Sequence, residues 1–571
     1  YTPEVLTKCL VKYALKELLV DKTADEILNL TICEPAMGSA AFLNEAINQL
    51  ADAYVNKKQE ELGILIPYED RFNEVQKVKM FIADRNVFGV DLNSTAVELA
   101  EVSLWLNTIC EGGHIPWFGT QIVNGNSLIG ARKQVYRIEQ LETNNPSLRW
   151  YTKAPDRIAP GETRRGNKEV YHFLLGDPGM CNYTDKVIKG LAPKQIELMK
   201  KWSKEFTDSY NPDDIESLLR LSRAIDTLWR EQVNLRNTVK RKTADKLSIF
   251  GHDDNIEESH TTIRQKDYIF RKLYKTEEAE NAGPYARLKF AMDYWCALWF
   301  WPIEKADLLP SRETFIFDMS LILEGGIFAV KKSGYTYYKT KTGENLYGIN
   351  LLDYDSETDE VVSQTAKEIK ATFADLGTVN LDQLCEQYER LALVREIAKN
   401  NHFMHWELEF AELFEERGGF DLMIGNPPWI KITWNEEGVL SDCNPIFSVR
   451  KLTANQTTFE RNNVLISEKN KKMYFEEYTF MSGEQSFINS VCNYPLLEKQ
   501  QVNLYKCFLP LAWYLSSPSG IASYVHPEGV YDDPNGGVLR KVLYKKLKYH
   551  FQFQNETKLF EIGNRNKFSL N

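Results

Sequence analysis

The chain has 571 residues, of which 43% are hydrophobic, 12% are aromatic and 26% are charged, and its formal net charge is −11. This length suffices for three or four domain-sized units, and the composition excludes a disordered or fibrous chain. The densest apolar run, residues 295–303, is too short to cross a bilayer. The acidic balance argues mildly against a nucleic-acid partner, although a basic groove can lie on an acidic body.

The nine cysteines are scattered along the chain, and none forms a CxxC pair. This pattern is typical of reduced thiols, so we expect a cytoplasmic protein without a disulfide framework or a zinc site. The eight histidines show no HxxxH or HExxH spacing. We therefore predict that the chain holds no catalytic metal.

Strand and helix signals alternate over residues 1–130. Apolar residues at helical spacing predict a helix over residues 4–19, and residues 30–42 indicate a strand, a turn and a helix. The scheme repeats with a predicted strand at residues 87–92. We expect Thr95 and Glu98 to cap the helix that follows it, and a third strand is predicted within residues 121–130. Such alternation predicts an α/β protein with a mostly parallel sheet.

Residues 131–415 interrupt that pattern with long, charged, helix-like segments, and they are predicted to form a mainly helical insertion with its own core. The insertion contains a hairpin-like stretch at residues 326–348. The α/β pattern resumes over residues 416–571, where the polar segment 433–500 is expected to contain exposed loops. The chain is thus divided into 1–130, 131–415 and 416–571.

The first candidate site follows the strand of residues 30–42. Gly38 and the small residues after it allow a ligand to approach the backbone closely, although such turns are common. Asp91 ends the next predicted strand, where a carboxylate can accept hydrogen bonds from two ribose hydroxyls. The sequence has neither the GxGxxG nor the GxxxxGK[ST] pattern of phosphate-binding loops. A ligand with ribose but no phosphate fits better, and S-adenosylmethionine (SAM) is such a ligand.

The second candidate site is the run Asn426, Pro427, Pro428, Trp429 behind an apolar strand. Each proline restricts the residue before it, so the run predicts a rigid loop that fixes the Asn426 side-chain oxygen and the Pro427 carbonyl. These two acceptors can bind both N–H groups of an exocyclic amine, such as adenine N6, and Trp429 can stack on the base for about 1–3 kcal/mol. The alternative is an incidental turn with a core tryptophan.

These motifs together resemble the gamma-ordered N6-adenine DNA methyltransferases. The motifs occur in the family's order: Tyr1-Thr2-Pro3, the turn with Gly38, the acid Asp91 that is assigned to the ribose, residues 124–128, and the Asn-Pro-Pro-Trp run. The resemblance covers residues 1–130 and about 405–571. It is greatest to the enzymes of type IIG restriction–modification and of the BREX and DISARM phage-defence systems, with the last two favoured. It implies a class I SAM-dependent methyltransferase fold, Rossmann-like with a mixed, mostly parallel sheet, and double-stranded DNA as substrate.

The resemblance also implies roles for individual residues. The motif of Tyr1, Thr2 and Pro3 would contact the methionine end of SAM, and Asp91 would hold its ribose. The residues expected to line the rest of the cofactor are Glu34, Ala36, Gly38, Leu92 and Asn126, and those expected to be catalytic are Asn426, Pro427, Pro428 and Trp429. Two positions depart from the family pattern, with Ala40 in place of a glycine and Asn126 in place of an aspartate.

A basic stripe at residues 229–246 is the best candidate for binding DNA phosphates. Its members are Arg230, Arg236, Lys240, Arg241 and Lys242. The alternative is an ordinary solvated helix face. We find no nuclease motif, so DNA cleavage by this chain is not expected.

Two other functions stay open on the sequence. A protein glutamine amide poses the same chemical problem as adenine N6, so the chain could methylate a protein. The chain could also be a non-catalytic, SAM-fold DNA-binding subunit that works with other defence-system proteins.

Overall fold

The computed structural model describes residues 2–110, 115–252, 261–325, 335–339, 345–350, 379–498, 500–501 and 503–571. The strands of these ranges are β1 Ile32–Glu34, β2 Val87–Asp91, β3 Ile122–Asn124, β4 Gln134–Arg137, β5 Asp156–Arg157, β6 Glu169–Tyr171, β7 Tyr335–Lys339, β8 Asn345–Asn350, β9 Phe420–Gly425, β10 Ser516–Pro527, β11 Phe551–Gln554 and β12 Lys567–Leu570.

Helices make up most of the remainder. The α-helices span Glu4–Leu18, Ala24–Ile27, Ala41–Leu62, Tyr68–Arg85, Ser94–Asn107, Ile138–Glu142, Lys186–Leu191, Pro193–Phe206, Pro212–Thr243, Ile263–Tyr274, Glu277–Ala282, Pro284–Ala297, Arg312–Leu323, Leu381–Gln387, Glu389–Asn401, Trp406–Glu409, Ala411–Arg417, Glu436–Cys443, Ile446–Val449, Ala454–Val464, Glu468–Asn489, Leu504–Leu515, Gly529–Asp532 and Gly537–Lys546. Short 3₁₀ turns span Pro146–Leu148, Trp150–Thr152, Gly166–Lys168, His172–Leu174 and Ile303–Leu308. Among the described residues, no helix is both long enough and apolar enough to span a membrane.

Seven strands form the central sheet, in the order β11-β12-β10-β9-β1-β2-β3. Strands β3, β2, β1, β9 and β10 are parallel, and β12 runs antiparallel between β10 and β11. The mostly parallel α/β sheet predicted from the sequence is thus confirmed. Because parallel strands end at the same edge, the last residues of β9, β1 and β2 lie next to one another there.

The helix that the sequence predicts after β1 is confirmed. Helix Ala41–Leu62 buries Phe42, Leu43, Ala46, Ile47 and Leu50, which recur at intervals of three and four residues. The expected cap of helix Ser94–Asn107 is wrong, because the side chain of Asn93 accepts the hydrogen bond from the Thr95 amide. An asparagine just before the first turn satisfies that orphan donor directly, so Thr95 already lies inside the helix.

The helical insertion does not have the separate core that the sequence suggests. One continuous hydrophobic cluster contains the fully buried Trp295 and Trp299 of the insertion together with Cys33 and Met423 of the central sheet. The insertion therefore packs on the sheet that carries the candidate site, while its boundaries at 130 and 415 stay a prediction. Strands β7 and β8 pair as the predicted hairpin, and the other residues of 326–348 lie outside the described ranges.

Residues 433–500 contain exposed loops as expected, for example residues 450–453, but these loops connect helices that the sequence did not predict. Most of this segment is helical, and Trp434 packs edge-on against Tyr474 and Tyr478 with ring centroids 5.3 and 5.2 Å apart. The polar composition reflects wide solvent-facing sides, while a few aromatic residues hold the helices together. This helical lobe follows directly after the Asn-Pro-Pro-Trp run.

The basic stripe is only partly available to DNA. Arg236 is buried, and its guanidinium donates to both carboxylate oxygens of Glu412 at 2.8 and 3.0 Å, so the prediction that it binds phosphate is wrong. Lys240 lies 3.6 Å from the carboxylate of Glu416. The other three predicted members, Arg230, Arg241 and Lys242, are exposed and stay candidates.

We expect Arg236→Ala to lower the free energy of unfolding by about 3–5 kcal/mol, because the substitution leaves the Glu412 carboxylate buried without its partner. Denaturant titration followed by circular dichroism measures this change. Arg241→Ala, on the same helix but exposed, is the control and should stay within about 0.5 kcal/mol of the wild type. Equal effects of the two substitutions would contradict the structural role assigned to Arg236.

Candidate active site

The loop after β1 is tied to the end of β2 by a single carboxylate. One oxygen of Asp91 accepts from the Gly38 amide at 2.8 Å, and the other accepts from the Asn93 amide at 2.9 Å. Gly38 has a left-handed backbone with φ of +52°. Asp91 therefore brings together the two loops that the sequence assigns to the cofactor.

Ala40 adopts the conformation that a glycine would favour. Its φ and ψ are +62° and +36°, it is fully buried, and it directly precedes helix Ala41–Leu62. A left-handed residue with a side chain costs about 1–2 kcal/mol. The alanine at this position therefore adds backbone strain that a glycine would not have.

Glu34, at the end of β1, is buried beside the same loop. Its Oε2 atom has no hydrogen-bond partner among the described residues. Burial raises the pKa of Glu34 well above its usual value, the backbone amide of Leu43 lowers it, and the charge of Asp91 raises it again. A buried acid with an unused oxygen is costly unless a ligand supplies a partner.

The Asn426 side chain is fixed at one end and unused at the other. Its Nδ2 donates to the Thr2 hydroxyl at 3.0 Å, and its buried Oδ1 has no partner in the part of the chain that the structure describes. The loop is anchored where it leaves the site, because the Leu504 amide donates to the Ile430 carbonyl at 2.9 Å. The rigid corner predicted from the sequence therefore presents one acceptor oxygen beside Thr2.

Trp429 is half-buried against Phe560, with ring centroids 4.6 Å apart and an angle of 51° between the planes. Its indole Nε1 is buried and finds no acceptor within the described ranges. Sequence reasoning missed Phe560, because it lies in an irregular polar segment after β11 and no pattern there separates it from other loop residues. Trp429 of the loop thus has a neighbouring aromatic ring that comes from the segment after β11.

The other predicted cofactor residues are spread along the same edge. The Pro3 carbonyl accepts from the amides of Leu6 and Thr7 at 3.0 and 3.2 Å and so begins the first helix. Ala36 is half-buried, and Leu92 is 51% exposed beside Asp91. Tyr1 lies outside the described residues.

Asn126 follows β3 and is held within its own turn. Its side-chain oxygen accepts from the Leu128 amide at 3.2 Å, and its backbone amide donates to the His402 carbonyl at 2.7 Å. The described residues include no cluster of three or more His, Cys, Asp or Glu side chains suited to a metal ion.

A cavity of about 290 Å³ lies away from these motifs, between helix Glu4–Leu18 and the first part of β10. None of the predicted site residues lines it. The candidate site is instead defined by unpartnered polar atoms of Glu34, Asn426 and Trp429 at the sheet edge.

A mostly parallel sheet with a glycine turn after β1, an acid at the end of β2 and Asn-Pro-Pro-Trp after β9 is compatible with a methyltransferase fold. The family model described as Eco57I restriction-modification methylase matches residues 85–475, which is more than half of the chain. The chain belongs to this family and is a DNA methyltransferase of the restriction–modification type. No curated protein sequence matches it.

We expect Ala40→Gly to cost less stability than the same change at Ala46, which is equally buried but lies inside the helix. Both substitutions remove a buried methyl group, but only the first relieves left-handed strain, so the Ala40 variant should be more stable than the Ala46 variant by about 1–2 kcal/mol. Denaturant titration of both variants gives the difference. If Ala40→Gly were the more damaging change, Ala40 would not be strained.

Proposed function

We propose that this protein transfers the methyl group of SAM to adenine N6 in double-stranded DNA, after the base has been flipped out of the duplex. The observation that carries the proposal is the Asn426 side chain, whose Nδ2 is held by Thr2 while its buried Oδ1 is unused by the described residues. An amide oriented in this way is ready to accept a hydrogen bond from an amine.

The sheet supports a class I fold. Strands β3-β2-β1-β9-β10 have the order 3-2-1-4-5 of doubly wound sheets, in which the strand order reverses between the first and fourth strands. Ligands of such sheets bind at the carboxyl ends of the strands, at the switch point. Here that point lies between Glu34, at the end of β1, and Asn426, after β9.

The residues at the edge suit SAM as the cofactor. When bound, SAM supplies an electrophilic methyl group on a sulfonium centre. The Asp91 carboxylate, already oriented by two backbone amides, would hold the ribose, and the exposed Leu92 would pack on the cofactor's adenine. Asn126 would lie beside that adenine, and Thr2 and Pro3 would lie at the methionine end. A cationic cofactor also suits an edge that carries two acids, Glu34 and Asp91.

Catalysis would rest on fixed acceptors. Asn426 Oδ1 and the Pro427 carbonyl would bind the two N–H groups of adenine N6, which draws the nitrogen lone pair out of conjugation and towards the methyl group. The same oxygens stabilise the positive charge that develops on nitrogen, and they need no reorganisation because the loop is rigid. The methylated ammonium then loses a proton readily, so no tuned general base is required before attack.

Trp429 of the loop and the neighbouring Phe560 would receive the flipped base. Flipping costs a few kcal/mol, and one base–aromatic stack returns about 1–3 kcal/mol. Trp429 offers one ring, and Phe560 lies against it. The exposed Arg230, Arg241 and Lys242 are proposed contacts to the DNA backbone, with the phage-defence systems of the BREX or DISARM kind as the proposed context.

The two rival functions predict different products. A glutamine-amide methyltransferase would use the same Asn426 corner but label protein, and the family assignment favours DNA. A non-catalytic subunit would have no need for an oriented, unused Asn426 oxygen. Locating a labelled methyl group after the reaction distinguishes both alternatives from the proposed function.

We expect wild-type protein to transfer labelled methyl from SAM to plasmid DNA, with the label in N6-methyladenine after digestion to nucleosides. Asn426→Ala should reduce the rate about 100-fold or more, because it removes one of two preorganised groups that act on the reacting nitrogen. Asn463→Ala, a change at an exposed asparagine of helix Ala454–Val464, is the control and should retain full activity.

Label in protein but not in DNA would favour the glutamine-amide function. DNA binding without transfer by the wild type would favour the non-catalytic subunit. Label at a base atom other than adenine N6 would contradict the proposed specificity and leave the DNA methyltransferase assignment intact.

A further inference from the structure

Tyr524 of β10 is a buried residue whose hydroxyl has no evident purpose in the fold. It pairs in register with Gly425 of β9, the residue just before Asn426. Its side chain is 2% exposed, and its hydroxyl makes no hydrogen bond to any part of the chain that the structure describes. A phenylalanine would fill the same space without burying a polar group, so the hydroxyl needs another explanation.

The ring reaches towards the end of β1 across the glycine. A side chain at Gly425 would place its first carbon 3.7 Å from Tyr524 Cε1 and 3.4 Å from Glu34 Cγ. Both side chains therefore lie next to Gly425, one from each of the two strands that flank β9. Burial raises the pKa of Tyr524 well above its usual value, and the nearby Cys33 and Glu34 raise it further.

Two side chains next to Gly425 thus each carry an oxygen without a partner among the described residues, the phenol oxygen of Tyr524 and Oε2 of Glu34. Both can accept hydrogen bonds, and the carboxyl favours a positive partner. The charged residue that acts on Glu34 besides its hydrogen-bonding amides is Asp91, which is another acid. A ligand group that donates several hydrogen bonds and carries a positive charge would satisfy both oxygens together.

We propose that Tyr524 is a cofactor-binding residue whose hydroxyl, with the Glu34 carboxyl, binds the ammonium group at the methionine end of SAM. This inference rests on the proposed function. The ribose is assigned to the end of β2, and the reacting methyl group must lie near Asn426 after β9. Because β1 lies between these two strands, the methionine end is placed near the end of β1. The ammonium group is the only part of that end with N–H donors and a positive charge.

Tyr524 also belongs to the lining of the 290 Å³ cavity along β10. The competing explanation is that the hydroxyl serves an occupant of that cavity. The two explanations differ in whether removal of the hydroxyl weakens the binding of SAM.

Tyr524→Phe is the decisive variant, and calorimetry without DNA should compare three ligands: SAM, S-adenosylhomocysteine and 5′-methylthioadenosine. The first two have the ammonium group and the third lacks it. We expect about tenfold or greater weakening for SAM and S-adenosylhomocysteine, as for the loss of a hydrogen bond to a charged group, and no change for 5′-methylthioadenosine.

The stability of the ligand-free protein provides a second readout. Tyr524→Phe should raise the melting temperature, because it removes a buried hydroxyl without a partner, while it weakens cofactor binding. Tyr183→Phe is the matched control, because the equally buried Tyr183 hydroxyl donates to the Trp301 carbonyl at 2.7 Å. This control should lower the melting temperature and leave the binding of all three ligands unchanged.

Unchanged binding of SAM by Tyr524→Phe would overturn the inference while the proposed function stands. Equal weakening for all three ligands would also overturn it, because the contact would then not involve the ammonium group. If the wild type bound neither SAM nor S-adenosylhomocysteine, the proposed function itself would fail, and the inference with it.

Discussion

The hydrogen bond from Asn426 to Thr2 is the contact on which the site depends. A side-chain amide has a donor end and an acceptor end, and the partner of one end decides what the other can do. Because Nδ2 is used by the Thr2 hydroxyl, Oδ1 faces the site as an acceptor. The bond joins residues 424 positions apart, so a residue that precedes the first helix orients a side chain in the loop after β9.

The parallel sheet and the helical insertion hold that contact in place. The register of β1 against both β9 and β2 aligns the ends that carry Glu34, Asn426 and Asp91. The insertion adds rigidity, because its buried tryptophans belong to the same hydrophobic cluster as Cys33 and Met423 of the sheet. The insertion separates the two halves of the site in the sequence, but it packs with both of them in one hydrophobic cluster.

Sequence patterns predicted the parts of this arrangement that are encoded locally. Short apolar runs followed by Gly38, Asp91 and Asn426 indicated the strands and the residues at their ends. Partners distant in sequence were not predictable: the charge of Arg236 suggested a DNA contact, but its partner Glu412 lies 176 residues away. Tyr524 was missed for the same reason, because only the sheet register places it beside Gly425.

The buried polar atoms without hydrogen-bond partners distinguish this edge of the sheet as a candidate binding site. Other buried atoms without partners occur elsewhere in the described residues, but those of Glu34, Asn426, Trp429 and Tyr524 all belong to the ends of three adjacent strands or the loop that follows. Each one lowers the stability of the ligand-free protein, and Ala40 adds backbone strain. Polar atoms left without partners by chance would be scattered through the core. Atoms that bind one ligand must lie close together and have no partner within the protein. The edge therefore combines unpartnered polar atoms with backbone strain, as the proposed binding of a polar ligand requires.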